Sequence, residues 1–213
     1  MNSKKINILS GELSELEIKF ARYRFKILNK GIDANRNVLS KNTHGEYTTR
    51  LIGILGELAV ASKFNIYPRS IFQSNWSNNI YDFKLGNFNF EVKSIDGAYS
   101  NRKTLMINKR SVEIHQTVPD FYILVRIHLG PYTKSDDVTE FLNLDYANFD
   151  ILGWITACEV HQDKNDSDSE NFLLTRLKPH LKESAYCVNK DTLNEFTSKD
   201  LLDIATVKVG RTL

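Results

Sequence analysis

Asp82, Glu91 and Lys93 are the residues whose types and spacing are best suited to chemistry. Carboxylate oxygens are the natural ligands of a hard cation, and an ammonium beside them can steady negative charge as it builds. The segment that carries them reads Tyr81-Asp82-Phe83-Lys84-Leu85-Gly86-Asn87-Phe88-Asn89-Phe90-Glu91-Val92-Lys93. Two alternating runs flank Gly86-Asn87, and Gly-Asn is a favoured two-residue hairpin loop because Gly supplies the positive φ of a type II′ turn. With that loop Leu85 faces Phe88, Phe83 faces Phe90, Asp82 faces Glu91 and Tyr81 faces Val92. Alternation then gathers Tyr81, Phe83, Leu85, Phe88, Phe90 and Val92 on an apolar face, and Asp82, Lys84, Asn89, Glu91 and Lys93 on the other.

Directly opposed residues of an antiparallel pair have Cβ atoms about 4.5–5.5 Å apart, and like charges there are destabilising. Two carboxylates so placed ask for a cation. Mg²⁺ takes oxygen ligands, typically one or two carboxylates with waters and a substrate phosphate. Lys93 projects two residues beyond Glu91 on the same face, within reach of a metal-bound water. An Asp followed by Glu-x-Lys on the next strand is therefore a constellation for phosphodiester hydrolysis. A merely solvated face would more naturally oppose Asp82 with Lys or Thr.

A third carboxylate belongs with these. Residues 51–63, LIGILGELAVASK, read as a helix in which the neighbours of Glu57 at three and four positions are Gly53, Ile54, Val60 and Ala61. None is charged, and a carboxylate among small apolar residues is costly without a partner.

On Asp82, Glu91-Val92-Lys93 and the upstream Glu57, the chain resembles the PD-(D/E)xK nuclease superfamily over roughly residues 46–128. The strict form of the motif has Pro before the Asp, where this chain has Tyr81. The resemblance implies an α/β restriction-endonuclease-like core, a central mixed β-sheet flanked by helices, here with an N-terminal helix and a C-terminal α/β extension. It also implies a Mg²⁺-dependent deoxyribonuclease, an endonuclease rather than an exonuclease, in which Mn²⁺ substitutes. Asp82, Glu91 and the Val92 carbonyl would hold the metal, and Lys93 would orient its water. Glu57 would hold a second metal or a bridging water. DNA is the expected partner, with RNA left open, and a homodimer is compatible. Restriction, phage defence, repair and mobile-element processing all use this fold. The competing expectation is a catalytically silent DNA-binding or assembly subunit of the same fold.

Composition bounds these readings. A chain of 213 residues with 41% hydrophobic content suits one domain with a real core. No apolar run reaches 18 residues, so no membrane span is expected. The N-terminus, Met1-Asn-Ser-Lys-Lys-Ile, lacks the apolar stretch of a signal peptide. Cys158 and Cys187 alone give no disulfide framework, and a cytoplasmic location is the expectation. The net charge of +2 hides a segregation. Residues 1–50 carry ten Lys/Arg against five Asp/Glu, residues 93–134 seven against three, and residues 135–170 one against ten. Basic segments around the hairpin and one acidic lobe give a polyanion a preferred face. Lys19, Arg22 and Lys26 on the first helix, Lys84 in the hairpin, and Lys109 and Arg110 are the expected nucleic-acid contacts.

The elements that must position the site follow from periodicity. Leu13, Leu16, Phe20, Tyr23 and Ile27 recur at three and four, predicting an amphipathic helix over residues 12–30 that ends at Gly31. A polar linker covers 35–45, the Glu57 helix 47–64, and a loop 73–79. After Lys93 come a polar loop over 96–102, a strand over 104–107, a helix over 109–117 and the buried strand Phe121–His128. A further apolar run covers 151–158, an acidic loop 163–170. Leu193, Phe196, Leu201, Leu202 and Ile204 are expected to pack back. Residues 1–45 thus form an N-terminal extension, 46–128 the core and 129–213 a C-terminal extension, all one domain.

Two other ligand sets have the right residue types but the wrong spacing. Cys158, His161, His180 and Cys187 lack the short second pair of a Cys₂His₂ zinc site. Asp163, Asn165 and Ser167 open like a calcium loop but lack its Gly and closing Glu. No nucleophile elbow and no phosphate-binding Gly-rich loop is present.

Overall fold

A computed structural model of the chain describes residues 8–30, 46–66, 81–99, 104–108, 119–129, 144–162, 185–189 and 193–196. The elements are β1 (Leu9–Glu12), α1 (Glu15–Lys30), α2 (Glu46–Lys63), β2 (Phe83–Leu85), β3 (Phe88–Asp96), a 3₁₀ turn (Gly97–Tyr99), β4 (Thr104–Asn108), β5 (Phe121–His128), β6 (Asn148–Thr156), α3 (Ala157–Gln162) and β7 (Ala185–Asn189). The fold is mixed α/β. A five-stranded sheet runs β1-β6-β5-β3-β2, and β4 pairs with β7 in a separate two-stranded sheet. Among the described residues no helix is long and apolar enough to cross a membrane.

The hairpin forms in the expected register: Phe83 with Phe90, Lys84 with Asn89, Leu85 with Phe88. Gly86 has φ 59°, and Asn65 is the one described non-glycine with positive φ, as a type II′ turn at Gly86-Asn87 requires. The apolar face of the hairpin locks that register, since a one-residue slip would turn every phenylalanine outward. Phe83 stacks on Phe90 with centroids 5.2 Å apart, Phe90 on Phe121 at 5.1 Å, and Phe121 meets Trp154 edge-on at 5.7 Å. One aromatic row thus crosses β2, β3, β5 and β6.

Next to β3 lies β5, parallel to it, with Glu91 beside Tyr122 and Lys93 beside Leu124. Its residues Phe121–Val125 are all buried, as befits a central strand covered on both faces. Asp120 sets its start: its N–H donates to the Asn89 carbonyl at 2.8 Å, and its carboxylate accepts the Asn89 N–H at 2.7 Å. On the far side β6 runs antiparallel to β5, with an irregularity at Leu124/Val125 that leaves Leu152 as an extra residue before Gly153. Gly153 has φ +153°, and a Cβ there would lie 2.8 Å from the Asn194 carbonyl. A bulge of this kind bends the strand and increases its twist.

The helix α2 covers this sheet with Leu51, Ile52, Leu55, Leu58 and Ala59, which join Phe90, Val92, Ile123 and Val125 in one core. Its closest approach is at Gly56, where a Cβ would fall 1.8 Å from Ser94 Oγ on β3. Only a glycine allows that contact, and it brings the adjacent Glu57 down to strand level. α1 in turn packs on α2. Its buried face is Ile18, Ala21 and Phe25, while Leu16 is 76% and Tyr23 63% exposed. The expected stripe through Leu16 and Tyr23 is therefore corrected. At about 100° per residue, Ile18, Ala21 and Phe25 form a second set on the roughly opposite side, and that set meets α2. The N-terminus of α1 closes with a capping box: the Ser14 N–H donates to Glu17 Oε2 at 2.7 Å and the Glu17 N–H to Ser14 Oγ at 3.3 Å.

Three other expectations shift. β3 extends through Asp96, which is buried rather than part of a loop. β4 forms at 104–108 but leaves the main sheet for β7. β1 and β6, from the segments expected as N- and C-terminal extensions, both belong to the main sheet. Asp150 of β6 fastens that flank, accepting Ser10 Oγ at 2.6 Å and meeting His128 Nε2 at 2.8 Å. Leu193 and Phe196 are buried as expected. The linker 35–45, the loop 73–79, the helix 109–117 with Lys109 and Arg110, the acidic loop 163–170, Gly31, His180, Leu201, Leu202 and Ile204 lie outside the described residues.

The Gly56–Ser94 approach gives a direct test. Gly56→Ala should destabilise the protein by about 1–3 kcal/mol through overpacking, despite alanine's better helix propensity. Ser94→Gly in the same chain removes both clashing atoms, so the double variant should recover most of the loss in urea denaturation. Gly56→Ala alone matching wild type would show that α2 does not sit this close to β3.

Candidate functional site

The chain leaves the ladder at Asp82. The hairpin's last pair is Phe83 with Phe90, so the expected direct opposition of Asp82 and Glu91, and of Tyr81 and Val92, is corrected. The Asp82 N–H instead donates to the Phe90 carbonyl at 2.9 Å. Its carboxylate swings over to β3, where Oδ2 accepts the Val92 N–H at 2.6 Å. A side chain thus takes the place of a backbone partner at the point where β2 peels away. Val92, whose carbonyl is the expected backbone ligand, is thereby fastened to Asp82.

Glu91 and Lys93 follow along β3 on the same face. Lys93 Nζ donates to Glu91 Oε1 at 2.5 Å, with side chains 27% and 20% exposed. Glu57 arrives from α2 and finds a partner that the sequence left unassigned. Arg24 of α1 donates from Nη1 to Glu57 Oε2 at 2.7 Å, with side chains only 12% and 14% exposed. No residue of α2 reveals this partner, because it comes from another helix. One signal was available: Arg24 adjoins Phe25 and lies three residues from Ala21, on the edge of the buried face.

The four expected residues act on one another's charge. Burial pushes the Asp82 carboxyl well above its ordinary range, and the negative charges of Glu91 and Glu57 push it further, against the Val92 hydrogen bond and Lys93. Glu57 is also raised, by burial first; Arg24 opposes that rise and Glu91 adds to it. Like charges about 5 Å apart repel by roughly 3 kcal/mol at an effective dielectric near 20. Burial is the main cause of the rise at Asp82, and the negative charges of Glu91 and Glu57 add to it.

The expected outer contacts are dispersed. Lys84 is exposed opposite Asn89, at the turn end of the hairpin. Lys19 pairs with Glu15 at 2.7 Å and Arg22 with Asp145 at 3.1 Å, while Lys26 is exposed. Lys19 and Arg22 also line a cleft of about 710 Å³ with Glu12, Ser14, Ser62 and Asp145. Cys158 is a free, exposed thiol on α3. Comparison of the chain with protein-family models, curated proteins and solved structures finds no match.

Because the Asp82 carboxyl is raised in the folded state, the native protein holds its proton more tightly than the unfolded chain does. Its stabilising contribution is complete below the unfolded value, about 3.8, and is lost as pH rises through the folded one. Asp82→Asn keeps an acceptor for the Val92 N–H and removes the charge. In EDTA, its melting temperature relative to wild type should therefore climb steadily from pH 4 to pH 8. A difference that stays flat or falls across that range would mean that burial and the acidic neighbours do not raise the Asp82 carboxyl.

Proposed function

We propose that the protein is a metal-dependent nuclease that hydrolyses phosphodiester bonds of DNA, built on a restriction-endonuclease-like core. The observation that carries this reading is the meeting of Asp82, Glu91, Lys93 and Glu57, close enough that their charges act on one another. The arrangement of α2 over an antiparallel β2–β3 hairpin, with β5 parallel to β3, supports the same reading.

The donor set suits Mg²⁺. Among the described residues no three His, Cys, Asp or Glu side chains converge as a ready-made metal cage, and Mg²⁺ does not ask for one: one or two carboxylates with waters and a phosphate suffice. Asp82 and Glu91, with the Val92 carbonyl, would hold the ion, and Mn²⁺ would substitute. The ion would lower the pKa of a bound water and offset charge on the phosphate.

The chain's own residues supply the rest. Lys93 is held beside Glu91, where its ammonium would steady charge developing on the phosphate oxygens and orient the attacking water. Glu57, fixed by Arg24, would orient a bridging water from the helix side. The apolar row beneath the hairpin holds Glu91 and Lys93 on a rigid strand, which limits the reorganisation that the reaction requires. Lys84 and Lys26 stand free in solvent for the phosphate backbone, whereas Lys19 and Arg22 would exchange exposed acidic partners for phosphates.

Incubation with supercoiled, linear and single-stranded DNA and with RNA, in Mn²⁺ and in EDTA, tests this reading. Metal-dependent cleavage of DNA is the expected result. Asp82→Asn, Glu91→Gln and Lys93→Ala should each reduce it by at least about a thousandfold while leaving the protein folded. DNA binding with no cleavage under any metal would instead favour a silent binding subunit, and cleavage confined to RNA would move the substrate class.

Lys84 tests the hairpin's role separately. Lying at the turn end, it should touch one phosphate and take no part in the chemistry. Lys84→Ala should weaken DNA binding, lower its salt dependence by about one phosphate contact, and leave the single-turnover rate at saturating DNA unchanged. Normal affinity with a hundredfold slower chemical step would place Lys84 in the reaction instead.

A further inference from the structure

We propose that Asp120 is a positioning residue for Glu91, holding the stretch of β3 that would present this carboxylate to the metal ion. The inference rests on the metal-site reading above and adds a residue that sequence spacing does not tie to it. Asp120 meets Asn89 at two points: its N–H donates to the Asn89 carbonyl at 2.8 Å, and its carboxylate accepts the Asn89 N–H at 2.7 Å. The β3–β5 ladder starts one residue later, with Phe90 beside Phe121 and Glu91 beside Tyr122. A side chain therefore supplies the acceptor just before the ladder begins. A carboxylate on a backbone N–H is a charge-assisted bond, roughly twice as strong as a neutral one.

The other edge of β3 is fastened in the same way. Asp82 accepts the Val92 N–H at 2.6 Å and donates its own N–H to the Phe90 carbonyl at 2.9 Å. Asn89 and Val92 are thus each held by a carboxylate, one from the β5 side and one from the β2 side, and Glu91 lies between them. The β2 side adds only the three rungs from Phe83 to Leu85, all on the turn side of Glu91. Asp120 is itself anchored, since its carbonyl accepts the Ala157 N–H of α3 at 2.9 Å. One residue thereby joins β3, the start of β5 and the start of α3. Outer partners that fix a metal ligand commonly govern metal affinity by about 10–100-fold. A bond that merely closed the end of a strand would contribute to stability and leave metal binding unchanged.

Two measurements on the full chain separate these. Asp120 is exposed, so Asp120→Ala leaves the core intact while removing the acceptor, and Asp120→Asn keeps one. In EDTA, amide hydrogen exchange at Glu91 should be about tenfold faster in Asp120→Ala than in wild type, with Ile151 of β6 unchanged. In a titration with Mn²⁺ alone, followed by the EPR signal of free aqueous Mn²⁺, Asp120→Ala should bind the ion about tenfold more weakly. Asp120→Asn should restore most of both. Should Asp120→Ala not fold, Asp120→Glu takes its place: it keeps the charge but displaces the acceptor by one methylene, and should also weaken Mn²⁺ binding. Wild-type Mn²⁺ affinity in the variant used, a loss that Asp120→Asn does not restore, or faster exchange shared equally by Ile151 would overturn the proposal and leave the metal site standing. No ion on wild type would overturn both.

Discussion

Three carboxylates brought together in a largely enclosed setting are the constraint on which the rest of this structure turns. Asp82, Glu91 and Glu57 come from a hairpin and a helix, and their mutual repulsion must be overcome by packing elsewhere. The aromatic row from Phe83 through Phe90 and Phe121 to Trp154 provides part of that, by fixing β2, β3, β5 and β6 against one another. The Gly56–Ser94 contact provides another part, by holding α2 so close to β3 that little of Glu57 reaches solvent. Stability is spent here to hold charge in place, as is usual where local rules of folding are broken for chemistry.

Arg24 changes how the N-terminal helix is understood. Without it Glu57 would be a buried, unpaired carboxylate, and removing one partner of such a pair costs about 3–5 kcal/mol. α1 is therefore a working part of the site. The same packing explains why Leu16 and Tyr23 face outward: the Ile18–Ala21–Phe25 side is buried, and Arg24 at its edge reaches Glu57.

What could be read in the sequence was local. Gly86-Asn87 and the alternation around it specify the hairpin register within a dozen residues, and the unbroken run Phe121–Val125 specifies a strand buried on both faces. Glu57 could be singled out because its helical neighbours carry no charge. The rest depended on tertiary context. α1 carries apolar residues on two sides, and periodicity alone does not say which side meets α2. Asp82 leaves the ladder because its carboxylate competes for the Val92 N–H, a choice between backbone and side-chain partners that alternation does not encode. Arg24 and Glu57 lie 33 residues apart on different helices, so their pairing appears only once the helices pack.

The central claim is that this cluster carries negative charge that an added divalent ion relieves. Thermal unfolding in EDTA and in rising Mn²⁺, for wild type and Asp82→Asn side by side, tests it most directly. The account predicts that wild type gains stability with each increment, reaching about 2.7 kcal/mol at a hundredfold excess over the dissociation constant, while Asp82→Asn shows little or no gain. A wild-type curve unmoved by Mn²⁺, or an equal gain in both proteins, would contradict it.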